Sequence, residues 1–332
     1  MNKKKIFLLI GLFILSLSSL FFILLKSRRK TEVFTPGILP KPKINSYYKS
    51  GLDVVFSKAS FDLPKSLPVL TVSKPPPIDV VKAKEIALNL GYGFEPRIVN
   101  DTLDGTSYVF DDNKSVLYVR SKTNKVEFHN YIDPASINTN KTVDHKELIN
   151  NALDFLLKLK ILGENEILFS FARYYKGSGS SGELVYTKNK DEASFYEFSF
   201  SQKLNGLYII DNARNSPITV TLLPDGNIYK AEVSILGEVK NSPESYPLKS
   251  FEDIKKESNE YTLISVNESD SFLEGLTKTD LMDINIEGIA PAYYRESVSS
   301  EIMQPIYLLE GTAKTIGRAD AVNILIYTPA LQ

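Results

Sequence analysis

Beyond residue 77 the apolar positions follow two rhythms, one of period 3.6 and one of period two. The first rhythm predicts three helices. Residues 79–90 place Val80, Ala83, Ala87 and Leu90 on one face, with Gly91 as a stop. Residues 145–162 give the strongest signal. Asp144 and Glu147 form a capping-box-like start, and Leu148, Ala152, Phe155, Leu156 and Leu159 make the apolar stripe, which Gly163 ends. A shorter helix starts at Ser250, with Asp253 in the reciprocal capping position and Phe251 and Ile254 facing inward.

The second rhythm predicts strands after each helix. Residues 108–110, 116–120 and 126–130 follow the first, with turns at Asp111-Asp112-Asn113 and Thr123-Asn124. After the second, Tyr196, Phe198 and Phe200 share one face, and Glu197, Ser199 and Ser201 share the other. Asn205-Gly206 is a two-residue hairpin signal, because both central positions of a type I′ turn need positive φ. Ile218, Val220 and Leu222 lead into the turn Pro224-Asp225-Gly226, and Tyr229, Ala231, Val233 and Ile235 carry the return strand. Residues 284–292, 304–314 and 321–327 follow the third helix. The expected class is α+β, with repeated helix-plus-antiparallel-meander units at 78–135, 142–240 and 248–330, the last mostly β. One larger sheet across the last two units is the alternative.

The N-terminal pattern is different. Residues 6–25, from Ile6 past Leu15 to Leu25, hold no charge. A helix of 20 residues is about 30 Å long, one hydrocarbon core, so a transmembrane anchor is expected within residues 1–30. A cleaved signal peptide fits less well: the run is too long and ends in bulky residues followed by basic ones. Lys3, Lys4 and Lys5 precede it; Lys26, Arg28, Arg29 and Lys30 follow it. Both flanks are basic, so orientation rests on the short tail staying inside, with the large domain extracytoplasmic. Residues 31–77 hold 8 of the 17 prolines and read as a semi-rigid stalk; the competing reading is a first strand near 52–56 that packs onto the body.

Composition then narrows the chemistry. Cysteine and tryptophan are absent and there are only two histidines, His129 and His145. Thiolate chemistry, disulfides, iron–sulfur clusters and multi-histidine metal sites are thereby excluded. Of 39 basic residues, seven lie in the first 30, which hold no acid; the rest carry 32 basic and 40 acidic residues, a net −8. An acidic body argues against nucleic-acid binding, which needs a basic face to displace counterions. The basic flanks suit anionic headgroups, so the expected partners are the lipid bilayer, through residues 6–25, and an unidentified envelope protein.

No catalytic constellation stands out. Gly177 to Gly182 matches G-x-G-x-x-G, but a strand-like Glu183-Leu-Val follows where a dinucleotide site needs a helix. Asn100-Asp101-Thr-Leu-Asp104-Gly105 lacks the EF-hand spacing. Asp111-Asp112 and Asp191-Glu192 are neighbours whose side chains diverge, so neither makes an acid/base dyad. No H-E-x-x-H occurs. Catalytic residues, metal and cofactor are all expected to be none. The tyrosine pairs 47–48, 174–175 and 293–294 each set one ring on either face of a strand, where the outward ring could anchor a partner.

The stretch Phe198-x-Phe200-x-Gln202-x-x-Asn205-Gly206, then Ile218-x-Val220, then Asp225-Gly226-Asn-Ile228, resembles the propeptide module of thermolysin- and fungalysin-type metallopeptidases. Tyr208 stands where that family usually has proline, and Pro224 in place of its first aspartate. Ile78 through Ala87 looks like the related PepSY module. The tail, Gln304-Pro305-Ile306-Tyr307 with Glu310-Gly311 and Tyr327 through Ala330, looks like the end of YycH/YycI-type extracytoplasmic regulators of a sensor kinase. These likenesses imply a non-catalytic, membrane-anchored binding or regulatory protein acting on a separate peptidase or kinase. A structural envelope component displayed on the stalk, and an enzyme with an unrecognised site, are the other readings.

Overall fold

Period-two alternation becomes strand over most of the chain. The computed structural model describes residues 52–332 except for 103–104, 134–136, 138–143, 163–165, 178–183, 188–189, 205, 212–216, 267–280, 296–300 and 317–320. Its strands are β1 (Val54–Phe56), β2 (Ser66–Val72), β3 (Arg97–Asp101), β4 (Gly105–Asp111), β5 (Ser115–Arg120), β6 (Lys125–Asn130), β7 (Glu166–Gly177), β8 (Leu184–Tyr186) and β9 (Phe195–Leu204). They continue as β10 (Leu207–Asp211), β11 (Ile218–Leu222), β12 (Ile228–Ser234), β13 (Val239–Pro247), β14 (Thr262–Val266), β15 (Leu281–Arg295), β16 (Ile302–Thr315) and β17 (Val322–Pro329). The α-helices among the described residues are α1 (Val80–Asn89), α2 (His145–Leu159) and α3 (Phe251–Lys256).

Local signals place the helices. Asp79 caps α1 by accepting from the Lys82 N–H at 2.8 Å, and Ala83, Ile86 and Ala87 are buried. Asp144 caps α2, whose stripe Leu148, Ala152, Phe155, Leu156 and Leu159 is buried. This helix stops at Leu159, short of the expected Leu162, because Lys160 turns into the left-handed region at φ +54°. Ser250 and Asp253 complete the capping box of α3.

Strand pairing departs from the expected repeat. The meander β3-β4-β5-β6 is antiparallel, and β6 pairs antiparallel with β12, setting Val126 against Val233 and Phe128 against Ala231. The sheet continues through β11, β9, β7 and β8. Both α1 and α2 pack into one core on the same side of it, with Phe110, Leu117, Phe198 and Val220. Leu204 pairs with Leu207 across the turn at Gly206, where φ is +81°. Then β10 leaves β9 and runs parallel to β15. A second core follows on β14 to β17, closed by Ile254 of α3. The α+β expectation of separate helix-meander units is therefore corrected: the fold is dominated by strands joined in a large mixed sheet. The physical reason lies at β6 and β10, whose free edges bond to strands distant in sequence instead of ending their own units.

Two N-terminal expectations also change. Residues 52–77 are built into the body: β1 runs parallel to β15, and β2 pairs with β13 and β16. Pro68 and Pro64 keep their place there by accepting from the hydroxyls of Tyr293 and Tyr307 at 2.9 and 3.5 Å. Residues 31–51 lie outside the described residues. So does the apolar run 6–25, with Ile6, Leu15, Leu25 and its basic flanks. Among the described residues no helix is long and apolar enough to cross a membrane. The longest, α2, has 15 residues, about 22 Å, and buries a single stripe. The single-pass membrane assignment is corrected to that statement: the described residues hold no membrane-crossing helix.

Candidate functional site

The motif positions support the fold. Phe198, Phe200 and Gln202 are buried on β9. Asp225 accepts from the Asn227 N–H at 3.0 Å, and Gly226 takes φ +87° beside α2. Asn205 lies outside the described residues, as do residues 178–182 of the glycine-rich stretch and the tyrosine pair 47–48. Tyr293 and Tyr294 are both buried, so that pair offers no outward ring; burial pushes the Tyr293 hydroxyl up to about 12.

Both histidines sit against rings. His145, the first residue of α2, meets Tyr196 at 5.4 Å, Tyr174 at 5.6 Å and Phe198 at 6.3 Å between centroids. His129 meets Tyr229 at 5.0 Å. Burial lowers the pKa of each, helped by Lys190 at His145 and Lys230 at His129. Asp111 and Asp112 accept from the backbone of their own turn. Among the described residues no three His, Asp or Glu side chains are placed to hold a metal ion.

The sheet face away from the helices carries a charge ladder. Glu127 lies between Arg120 and Lys125 at 2.6 and 2.7 Å, and Glu232 between Lys125 and Lys230 at 2.5 Å each. Arg173 holds Glu197 at 3.1 Å. Burial works against the charge on Glu232, yet Lys125 and Lys230 bring its carboxyl below the ordinary range. Each carboxylate is consumed by its neighbours, which is how such a face tolerates partial burial. The buried Lys249 is likewise matched, by Glu257 and Glu260.

What stays open is the edge beside α1. All five residues of β3 are exposed, and among the described residues β3 pairs only with β4. Eleven large apolar side chains of the described residues are exposed, and five of them fall within residues 81–99: Val81, Leu88 (66%), Phe94 (44%), Ile98 (57%) and Val99 (41%). The clustering is along the chain: Ile98 and Val99 point to opposite faces of the edge strand. Ile98 lies opposite Tyr108, whose ring joins the helix-side core, so Ile98 is on the side of α1. Phe94 approaches Tyr92 and Phe110 at 5.9 and 6.3 Å. Lys84 of α1 reaches Glu95 at 2.7 Å, tying the helix to the start of β3. Arg97, Val99 and Asp101 share the other face.

The apolar rhythms of the sequence announce no strand here. Its signal is short: the β-branched pair Ile98-Val99 between Pro96 and the polar Asn100-Asp101. No family profile matches the chain. No curated protein matches it. It is similar in shape to an uncharacterized protein from Eubacterium rectale solved by crystallography, at 12% identity, over 80% of this chain and 82% of that one, with a TM-score of 0.41. That likeness is too loose to transfer a fold or a function.

Proposed function

We propose that this chain is a protein-binding module, without chemistry of its own, that takes an extended segment of a partner as an added strand on β3. The observation that carries the reading is a strand exposed at all five residues and paired on one side among the described residues. Main-chain bonds along such an edge give affinity, and side chains at alternate positions give specificity. Ile98, Phe94 and Leu88 supply apolar surface on the helix side, where a partner's alternate residues would rest. The matched charges of the ladder and of Lys249 leave those clusters explained by folding alone.

Site-specific photocrosslinking tests the proposal. A benzophenone side chain at position 99, in the cells that make the protein, is expected to give a covalent adduct, and the same probe at the exposed Leu157 of α2 to give none. Ile98→Lys should abolish the adduct. Equal labelling from both positions would sink the reading.

A further inference from the structure

We infer that the strand added to β3 is β3 of a second copy, paired antiparallel about a two-fold axis at Val99. The inference rests on the reading of β3 as an accepting edge and names its occupant. The strand reads Arg97-Ile98-Val99-Asn100-Asp101, with opposite charges at its two ends. Antiparallel pairing about Val99 sets Arg97 of each copy against Asp101 of the other, twice per dimer, while Val99 meets Val99. All three residues share one sheet face, so the ion pairs and the apolar pair form on the same surface.

Register and closure follow from the same pattern. Shifting the pairing by one residue would set Arg97 against Asn100, and shifting it by two would set it against Val99. Only the arrangement about Val99 matches both charges. A two-fold contact uses the same patch on both copies and closes at two, so it ends in a dimer and not a fibre. The axis stands perpendicular to the sheet, so both α1 helices lie on one side, and the exposed Ile98 of each copy flanks the seam on that side. Those side chains add the apolar area that a five-residue edge lacks by itself. The sheet then runs without interruption from β7 of one copy through both β3 strands to β7 of the other.

The test is the mass of the full chain in solution against concentration, with charge-swapped variants. The unaltered chain is expected to dimerise. Arg97→Asp and Asp101→Arg should each weaken the dimer about tenfold, since each replaces two attractive pairs with two repulsive ones. Mixed together, the two variants should form a heterodimer, because each then meets its opposite. The double variant R97D/D101R should dimerise like the original. A chain that stays monomeric throughout, or single variants that dimerise undiminished, overturns the inference. The adduct from position 99 separates it from the broader reading. An adduct of twice the chain mass supports self-pairing. An adduct with a different protein overturns self-pairing and leaves the edge reading standing. No adduct removes both.

Discussion

A Cβ placed on Gly226 would stand 2.5 Å from the Nδ2 of Asn151, so the turn between β11 and β12 rests directly on α2. The glycine also holds φ +87°, which side-chain-bearing residues adopt at a cost. Gly226→Ala should therefore lose about 1–3 kcal/mol of stability. Asn151→Ala in that background should return the contact part and leave the backbone part. Gly311→Ala should lose more, since its Cβ would meet the backbone carbonyl of Asn285 at 2.0 Å, which no side-chain movement relieves. Urea denaturation of the three variants measures both.

Phe198 and Phe200 carry the motif resemblance, yet both are fully buried beneath α2. Phe200→Ala is expected to cost about 3–5 kcal/mol, and Phe200→Leu under about 1.5. Photocrosslinking from position 99 should be unchanged in the Leu variant. A Leu variant that keeps full stability but loses the adduct would assign Phe200 to binding instead.

Lys249 is 7% exposed, with Glu257 and Glu260 as partners and its carbonyl accepting from the Tyr307 hydroxyl at 3.1 Å. The two carboxylates are 34% and 23% exposed, so water softens the loss of their cation. Lys249→Ala should cost about 2 kcal/mol, below the range for fully buried pairs. Lys249→Met keeps the stem packing and should cost less. Thermal melts of both variants decide the order.

Acid should weaken the protein in two stages. Burial holds His129 and His145 below their ordinary value of 6.5, so the folded state prefers the neutral imidazole. Around His145, Lys190 reinforces this, while Asp191 and Asp144 oppose it. The unfolded chain takes protons first as pH drops below 6.5, so that stability is present above 6.5 and is lost as pH falls through the lowered folded values. Glu232 is also held low, so its contribution goes later, below its ordinary 4.5. His145→Gln should shrink the first stage to the share of His129 and leave the second. The measurement is the urea midpoint between about pH 7 and pH 4; an unaltered first stage in that variant would refute the assignment.

Legibility tracked range along the chain. The caps at Asp144 and Ser250, the stripe of α2 and the alternation of β9 were all readable, because each depends on residues within a turn or two of one another. The Asn205-Gly206 turn was readable for the same reason, and Leu204 does pair with Leu207. The β3 edge was harder, since two β-branched residues after Pro96 make a weak signal against the turn that follows. The seven charges of the ladder come from β5, β6, β7, β9 and β12; the i,i+2 pairs Lys125–Glu127 and Lys230–Glu232 show within their strands, but the links between strands do not.

By itself the sequence determined where helices begin, where most turns lie and which side of each strand is apolar. Those features follow from side-chain periodicity and from backbone preferences of glycine, asparagine and proline, which act locally. Tertiary structure alone decided that β6 joins β12, that β10 crosses to run parallel to β15, and that β3 is left as an edge. Every strand offers the same N–H and C=O groups to a neighbour, so the choice of neighbour depends on how distant apolar faces pack together. The exposure of Ile98 and Val99, and with it the proposed dimer, belongs to that second kind of fact.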